Sequence, residues 1–282
     1  MPLDQNIIPQ NKLRLPDALT IKHGPTHLLA RFLLAADKSC RRRGVLLRVR
    51  YDFDELLYVN RHYSARKLWY PILDAFNPER ADLTPDDCVW VSGEDETGEI
   101  VATAATRAYD WSGTNLKEQA RTAWYGRDLG QPCVVTSEQA EEITGVMAWG
   151  YGSWVRQDYR GRHLSFLIPR VIKAYVASRW PVDFIGCFIS MDNFKRGLAK
   201  SYGYRHVIHG FHYPGSPLCE QCVAYEPIAG YYEALANFMA SGDISASDLE
   251  DDVSSSGSST RLEHIVTKTS SDVVFHGSMS RS

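Results

Sequence analysis

The chain has 282 residues, 44% of them apolar, with seven Trp and 31 basic against 34 acidic side chains for a formal net charge of -3. An apolar content of that size can build a sizeable core, and so even a charge balance excludes a general nucleic-acid binder. No apolar run reaches the length of a membrane helix, and the first twenty residues lack the continuous apolar core of a targeting segment, so no membrane association is expected. The six cysteines (Cys40, Cys88, Cys133, Cys187, Cys219, Cys222) are scattered, as suits reduced thiols in a cytoplasmic protein.

In chain order, residues 1–20 are punctuated by Pro2, Pro9 and Pro16 and read as irregular. Pro25 to Arg43 carries an apolar stripe (Leu28, Leu29, Phe32, Leu33, Ala36) with Gly44 placed to cap it, and the pattern predicts a helix. The basic run Arg41–Arg43 suits its C-terminal end. Val45–Tyr51 reads as a strand, Asp52–Tyr63 as a helix with Asp52 at its N-cap, and Ala65–Phe76 as a second, short helix. Cys88–Val91 and Glu99–Thr106 read as a hairpin around the turn Glu94–Gly98. The connection 108–144 is long for a link between strands and carries a predicted helix, Asn115–Trp124.

Gly145–Trp154 reads as a buried strand. Phe166–Trp180 repeats apolar residues at helical spacing, and Val182–Ile189 is a nearly continuous apolar run, as in a strand buried on both faces. Strand, helix and strand form a βαβ crossover with its strands parallel. Asn193–Ser201 follows as a helix ended by Gly203. Tyr204–Tyr213 and Leu218–Tyr225 follow as strands, and Glu226–Ala240 as a last helix. From Ser241 serines dominate, Glu250–Asp252 forms an acidic run, and 241–282 reads as a disordered tail with a weak strand at Val273–Phe275. The fold class is α/β (α+β) around one mixed sheet.

Between the first strand and the helix of the crossover lies Val155-Arg-Gln-Asp-Tyr-Arg-Gly-Arg-His-Leu-Ser165. A strand-to-helix turn of this kind aims free backbone N–H groups and the positive end of a helix dipole at one spot, which suits a phosphate or pyrophosphate. Arg160 and Arg162 add donors for phosphate oxygens. The alternative is an ordinary turn with solvated arginines.

Val155-x4-Arg160-Gly161-Arg162-His163-Leu164 resembles the acyl-CoA pyrophosphate motif of the GNAT superfamily of N-acyltransferases, and Asp192-x5-Leu198-x4-Gly203-Tyr204 is similar to its second motif. The resemblance covers roughly residues 84–226. It departs from the family at Asp158 (Gln or Arg there), His163 (a second small residue), Asp192 (Asn) and Pro169 inside the helix. The resemblance implies a GNAT-like, mostly antiparallel central sheet flanked by helices, with the parallel crossover in the acyl-CoA region. It implies a domain over 45–240 with an insertion at 108–144, the first 44 residues packing on it as an irregular segment and a helix. It implies an N-acyltransferase that takes acetyl-CoA or another acyl-CoA as co-substrate and an amine as acceptor, with a homodimer allowed for. Ser153 and Val155 would meet the pantetheine arm, Arg160, Gly161, Arg162, His163, Leu164 and Ser165 would surround the pyrophosphate, and Asp192 of the second motif would also bind the cofactor.

The family's usual general acid, a Tyr seven residues past the motif Asn, falls here on Ala199. Tyr202 lies one helical turn on and is the substitute candidate, against a reading as a packing residue. The strand before the turn offers no carboxylate as base; Glu141 and Glu142 precede it. Tyr109, Trp111 and Trp124 in the insertion would favour an acceptor with an apolar portion if the insertion covers the cleft. His206, His209, His212, Cys219 and Cys222 are zinc-ligand types, but the histidines alternate faces of one strand, and the strand-pair reading is preferred with no metal assigned. Two further readings stay open: a GNAT-like module that binds CoA or a nucleotide without turnover, and an acyltransferase with a longer acyl donor.

Overall fold

In the computed structural model, residues 12–122, 133–213, 220–241 and 244 are described. Nine strands form one sheet: β1 (Lys12–Arg14), β2 (Leu46–Arg50), β3 (Cys88–Glu94), β4 (Ile100–Trp111), β5 (Val134–Val135), β6 (Gly145–Val155), β7 (Phe184–Ser190), β8 (His206–His212) and β9 (Glu220–Pro227). Their spatial order is β1-β2-β3-β4-β6-β7-β9-β8-β5. Only β6 and β7 run parallel, and the remaining pairs are antiparallel. This is the expected mixed, mostly antiparallel sheet with one parallel crossover.

The helices are α1 (Thr26–Arg42), α2 (Phe53–Ser64), α3 (Leu116–Thr122), α4 (Leu164–Arg179), α5 (Met191–Lys195), α6 (Leu198–Ser201) and α7 (Ile228–Ala240). Strand alternation divides the core between the two sheet faces. Val89, Val91 and Ala148 pack with α1, α4 and α7 on one face, while Trp90, Met147 and Trp149 pack with α2 and the β4–β6 connection on the other. None of the described helices is long and apolar enough to cross a membrane.

Several elements differ from the sequence reading. Lys12–Arg14, expected to be irregular, pairs with β2 through Leu13 and Val49, because the β2 edge supplies backbone partners that three residues could not signal. Strand β3 runs on through Glu94, so the turn tightens to 95–98 around the Asp95 carboxylate, which accepts from the backbone of Thr97 and Glu99. Strand β4 extends to Trp111 against β6. Residues 65–76 do not form the expected helix: Lys67 sits at φ 58° and Pro71 interrupts the run. Carbonyls in this segment go to distant donors instead, that of Tyr70 to Asn60 at 2.8 Å and that of Pro71 to Tyr151 at 2.7 Å. The expected helix at 193–201 is two short ones, broken where Gly197 turns left-handed at φ 80°. The part of the predicted helix beyond Thr122, the tail from 245 and Val273–Phe275 lie outside the described residues.

Candidate active site

Strand β6 builds the site by carrying one residue too many. Opposite β4 the register runs Tyr151 to Ala105 and then Trp154 to Thr103, so Gly152 and Ser153 together face Ala104. This is a β-bulge. Gly152 takes φ 67°, its carbonyl accepts from Thr103 Oγ1 at 2.6 Å, and the added residue reverses which side chains point to which face. Before the bulge Val146 and Ala148 face α4, and Met147, Trp149 and Tyr151 face the other side. Beyond it Val155 packs on the α4 side and Trp154 on the far side against Trp69 and Tyr63. Ser153 is thereby turned to the α4 face.

The parallel pairing of β6 with β7 covers only Met147–Trp149 and Phe184–Gly186. Beyond those pairs no further β6–β7 pairing follows; Tyr204, just past α6, brings its hydroxyl close to Gly150, and Tyr202 lines the cleft with Ser153. Ser153 is close enough to the Tyr202 phenol to ease its ionisation. Burial and the neighbouring Cys187 push that phenol up to about 12, with Ser153 holding back part of the rise. A phenol in this condition keeps its proton at neutral pH.

The β6–α4 turn is shaped by two left-handed residues, Gly161 at φ 82° and His163 at φ 57°. Phe166 and Leu167 both donate to the His163 carbonyl, so helical bonding begins there. The N–H groups of Leu164 and Ser165 then point off the helix end, as at any helix start. His163 is exposed and its side chain makes no capping bond. Arg160 is exposed at the cleft, its Nε 3.4 Å from the Val155 carbonyl. Arg162 instead turns back, stacking on Tyr159 at 4.2 Å and donating to the Arg43 carbonyl at 3.2 Å at the end of α1. Asp158, where the family pattern has Gln or Arg, is held by Arg156 at 2.7 Å, and that guanidinium keeps its carboxyl below the usual range.

A cleft of about 510 Å³ joins these parts. Ser153, Val155, Arg160, Leu164, Ser165 and Tyr202 all line it, together with Pro169 of α4. The facing wall, which the sequence did not reveal, is Lys67 to Tyr70. It is clamped by Asn60, which takes the Tyr70 carbonyl and the Ile72 N–H, and by the Trp154 indole, 3.3 Å from the Leu68 carbonyl. The signal for it lay in Leu68-Trp-Tyr-Pro71, an apolar run ended by a proline, which suits an extended wall better than a helix.

The remaining candidates are not among the side chains that line the cleft. Gly161, Arg162 and His163 belong to the turn at its edge, and Asp192 is exposed in the first turn of α5. Ala199 is buried. Glu141 pairs with Lys117 at 2.6 Å, Glu142 is exposed, and no carboxylate is among the described cleft-lining residues. Trp111 is buried against Trp149, and Tyr109 stacks on Trp111, so these two build core under the insertion. Trp124 lies outside the described residues. The aromatic surface of the cleft is supplied by Trp69, Tyr70 and Trp154 instead. His212 bonds Glu220, His209 meets Phe194 edge-to-face, and buried Cys222 donates to the Ile189 carbonyl at 3.3 Å. Among the described residues no three His, Cys, Asp or Glu side chains converge; Cys219 lies outside them.

No protein-family model matches the chain, and no curated protein matches it. Solved structures do align. Arabidopsis thaliana NAA60 in complex with acetyl-CoA is 15% identical, over 65% of this chain and 99% of that one, with a TM-score of 0.40. An aminoglycoside acetyltransferase, AAC(6')-Ib, with coenzyme A and kanamycin is 11% identical over 66% and 98%, with a TM-score of 0.39. A GNAT-family acetyltransferase from Streptococcus pneumoniae is 10% identical over 64% and 99%, with a TM-score of 0.36. In its own sheet order and its single parallel crossover, the chain has a GNAT-like fold.

Proposed function

We propose that the protein is an acyl-CoA-dependent N-acyltransferase that acts on an amine. The observation that carries this reading is the convergence on one cleft of the α4 N-terminus with Arg160, the bulged Ser153–Val155 segment and the Tyr202 phenol. The donor set fits an acyl-CoA: unpaired N–H groups and a guanidinium for a pyrophosphate, an extended strand edge for a pantetheine amide, and a phenol at the far end. When bound, acyl-CoA supplies an activated thioester carbonyl. Arg160 and the N–H groups of Leu164 and Ser165 anchor its charged end. Ser153 orients Tyr202, and Tyr202 delivers its proton to the sulfur that leaves. With no carboxylate among the described residues that line the cleft, the amine sheds its proton to solvent at the cleft mouth. Leu68, Trp69 and Tyr70 favour an acceptor or acyl group with an apolar, planar portion. Acetyl-CoA is the donor we favour.

Calorimetry of wild type and Arg160→Ala with acetyl-CoA and longer acyl-CoAs tests the reading. Binding that weakens in the variant, followed by thiol release with some member of an amine panel, supports it. Absence of binding to every acyl-CoA removes it, and binding without thiol release moves the protein to a non-catalytic CoA-binding module.

A further inference from the structure

Helix α4 carries two cations inside the protein, Arg170 at 8% and Lys173 at 4% exposed. Both reach across to the end of α6. Arg170 Nη1 donates to the Ser201 carbonyl at 2.6 Å, and Lys173 Nζ donates to the carbonyl of Tyr202. These are the last carbonyls of a helix that ends at Ser201, where a cation is the fitting partner. Gly203 lets the two elements approach: at φ 82°, a Cβ there would lie 3.1 Å from Arg170 Nη2. The Lys173 ammonium also sits 4.0 Å from the centroid of the Tyr204 ring and 5.7 Å from that of Tyr231. Among the described residues it has no carboxylate at ion-pair distance. The charged and titratable groups that face it are Arg170 on its own helix, Cys187 on β7, Glu226 on β9, Tyr202 and Tyr204 after α6, and Tyr231 on α7.

We propose that Lys173 is a positioning residue for Tyr202: its ammonium fixes the Tyr202 backbone, and with it the phenol beside Ser153, and loss of the Lys173 proton loosens that hold. Burial, with Arg170 adding to it, pushes the Lys173 ammonium down to about 7, so the loosening falls within the neutral range. The proton goes to solvent, and the neutral amine left behind is a weaker donor to a carbonyl than the ammonium. The consequence for catalysis rests on the acyltransferase reading; the coupling of Lys173 to Tyr202 does not.

The test is a carbon-13 NMR titration of the full chain labelled at tyrosine Cζ, with the Tyr202 resonance assigned through Tyr202→Phe. The Tyr202 resonance is expected to shift with an inflection near pH 7 in wild type, and to lose that inflection in Lys173→Met and in Lys173→Arg, whose charge does not titrate there. A flat wild-type resonance between pH 6 and 8.5 overturns the proposal, even if neither variant folds. An inflection that persists in the variants also overturns it, because a histidine then drives it. With an amine that supports thiol release from acetyl-CoA, Lys173→Met should lower kcat roughly ten- to hundredfold with KM for acetyl-CoA little changed. An equal effect on KM marks a merely structural residue and overturns the positioning role. Failure of acetyl-CoA to bind in calorimetry would remove the acyltransferase reading and leave the NMR coupling standing.

Discussion

Ser153 shares a cleft with Tyr202 because β6 carries one residue more than β4 can match, and Gly152 absorbs the excess at φ 67°. Space is not what demands glycine there: an added Cβ would find Trp69 at 3.8 Å and Ala105 at 3.9 Å, ordinary contacts. Backbone conformation is. Gly152→Ala should therefore cost about 1–2 kcal/mol through the left-handed penalty alone, and Gly152→Val more. Urea unfolding of the two variants checks this. Equal stability of all three proteins would mean the bulge is not maintained in solution.

Tyr202→Phe keeps the ring and removes the proton that the proposed chemistry uses. The expected result is a fall in kcat of about 10²-fold or more with KM for acetyl-CoA nearly unchanged. Ser153→Ala should have a smaller effect in the same direction, since it removes only the partner that orients the phenol. Steady-state kinetics by thiol release measure both. A Tyr202→Phe enzyme with full kcat would leave Tyr202 as packing.

Arg160 and Arg162 are two residues apart and stand in the same motif, yet the structure gives them different work. Arg160 is exposed at the cleft with a long bond, 3.4 Å, to the Val155 carbonyl, whereas Arg162 is turned to Tyr159 and the Arg43 carbonyl. Arg160→Ala should weaken acetyl-CoA binding by about tenfold or more, as loss of a charge-assisted bond does, and the loss should shrink at high salt. Arg162→Ala should leave affinity within about twofold and lower stability by up to about 1 kcal/mol. Calorimetry paired with thermal melts separates the two. Similar affinity losses in both variants would show that Arg162 swings to the ligand.

The crossover and its turn were legible in the sequence because their signals are local: the periodicity changes from strand to helix within Val155–Phe166, and Gly161 marks the turn. The bulge was not, because a glycine inside a strand pattern announces neither an extra residue nor a reversal of faces, and only the pairing of Trp154 with Thr103 reveals it. The segment 67–71 was misread as helix because the carbonyls of Leu68, Tyr70 and Pro71 are satisfied by Trp154, Asn60 and Tyr151, and two of these partners lie 80 or more residues away in sequence. Lys173 was silent for a similar reason. A lysine in an apolar helix pattern looks like a solvated face until the end of α6 is laid against it.

His163 takes the left-handed conformation at which the family pattern places a small residue. A non-glycine residue pays roughly 1–2 kcal/mol there, and glycine in its place adds back about 0.5–1 kcal/mol of unfolded-state freedom. His163→Gly should then be neutral to stabilising by about 1 kcal/mol, with acetyl-CoA affinity unchanged or tighter because the exposed imidazole makes no capping bond. His163→Val should lose stability, since a branched side chain tolerates positive φ poorly. Denaturant midpoints and calorimetry decide it. A marked loss of affinity in His163→Gly would show that the imidazole itself serves as a donor to the ligand.

Stability should pass through a maximum in the mildly alkaline range, and the signs can be worked from the buried groups. Lys173 titrates near 7 in the folded chain and at its ordinary 10.5 when unfolded. Between those values the unfolded chain binds the extra proton, so stability from this group rises with pH, by at most about 1.4 kcal/mol per unit. The buried thiols act the other way. Burial pushes Cys40 and Cys88 up to about 12 and Cys133, Cys187 and Cys222 to about 11, from an ordinary value of 9.0. Above pH 9 the unfolded chain ionises these groups while the folded chain holds them neutral, so their contribution, intact below 9, is lost as pH climbs through 11 and 12. Five thiols outweigh one amine. The melting temperature should therefore climb gently from pH 7 to about 8.5 and fall above about 9, and Lys173→Met should remove the climb while keeping the fall. Melts across pH 6.5–10 on wild type and variant measure this, and a climb that survives in Lys173→Met would assign it to another group.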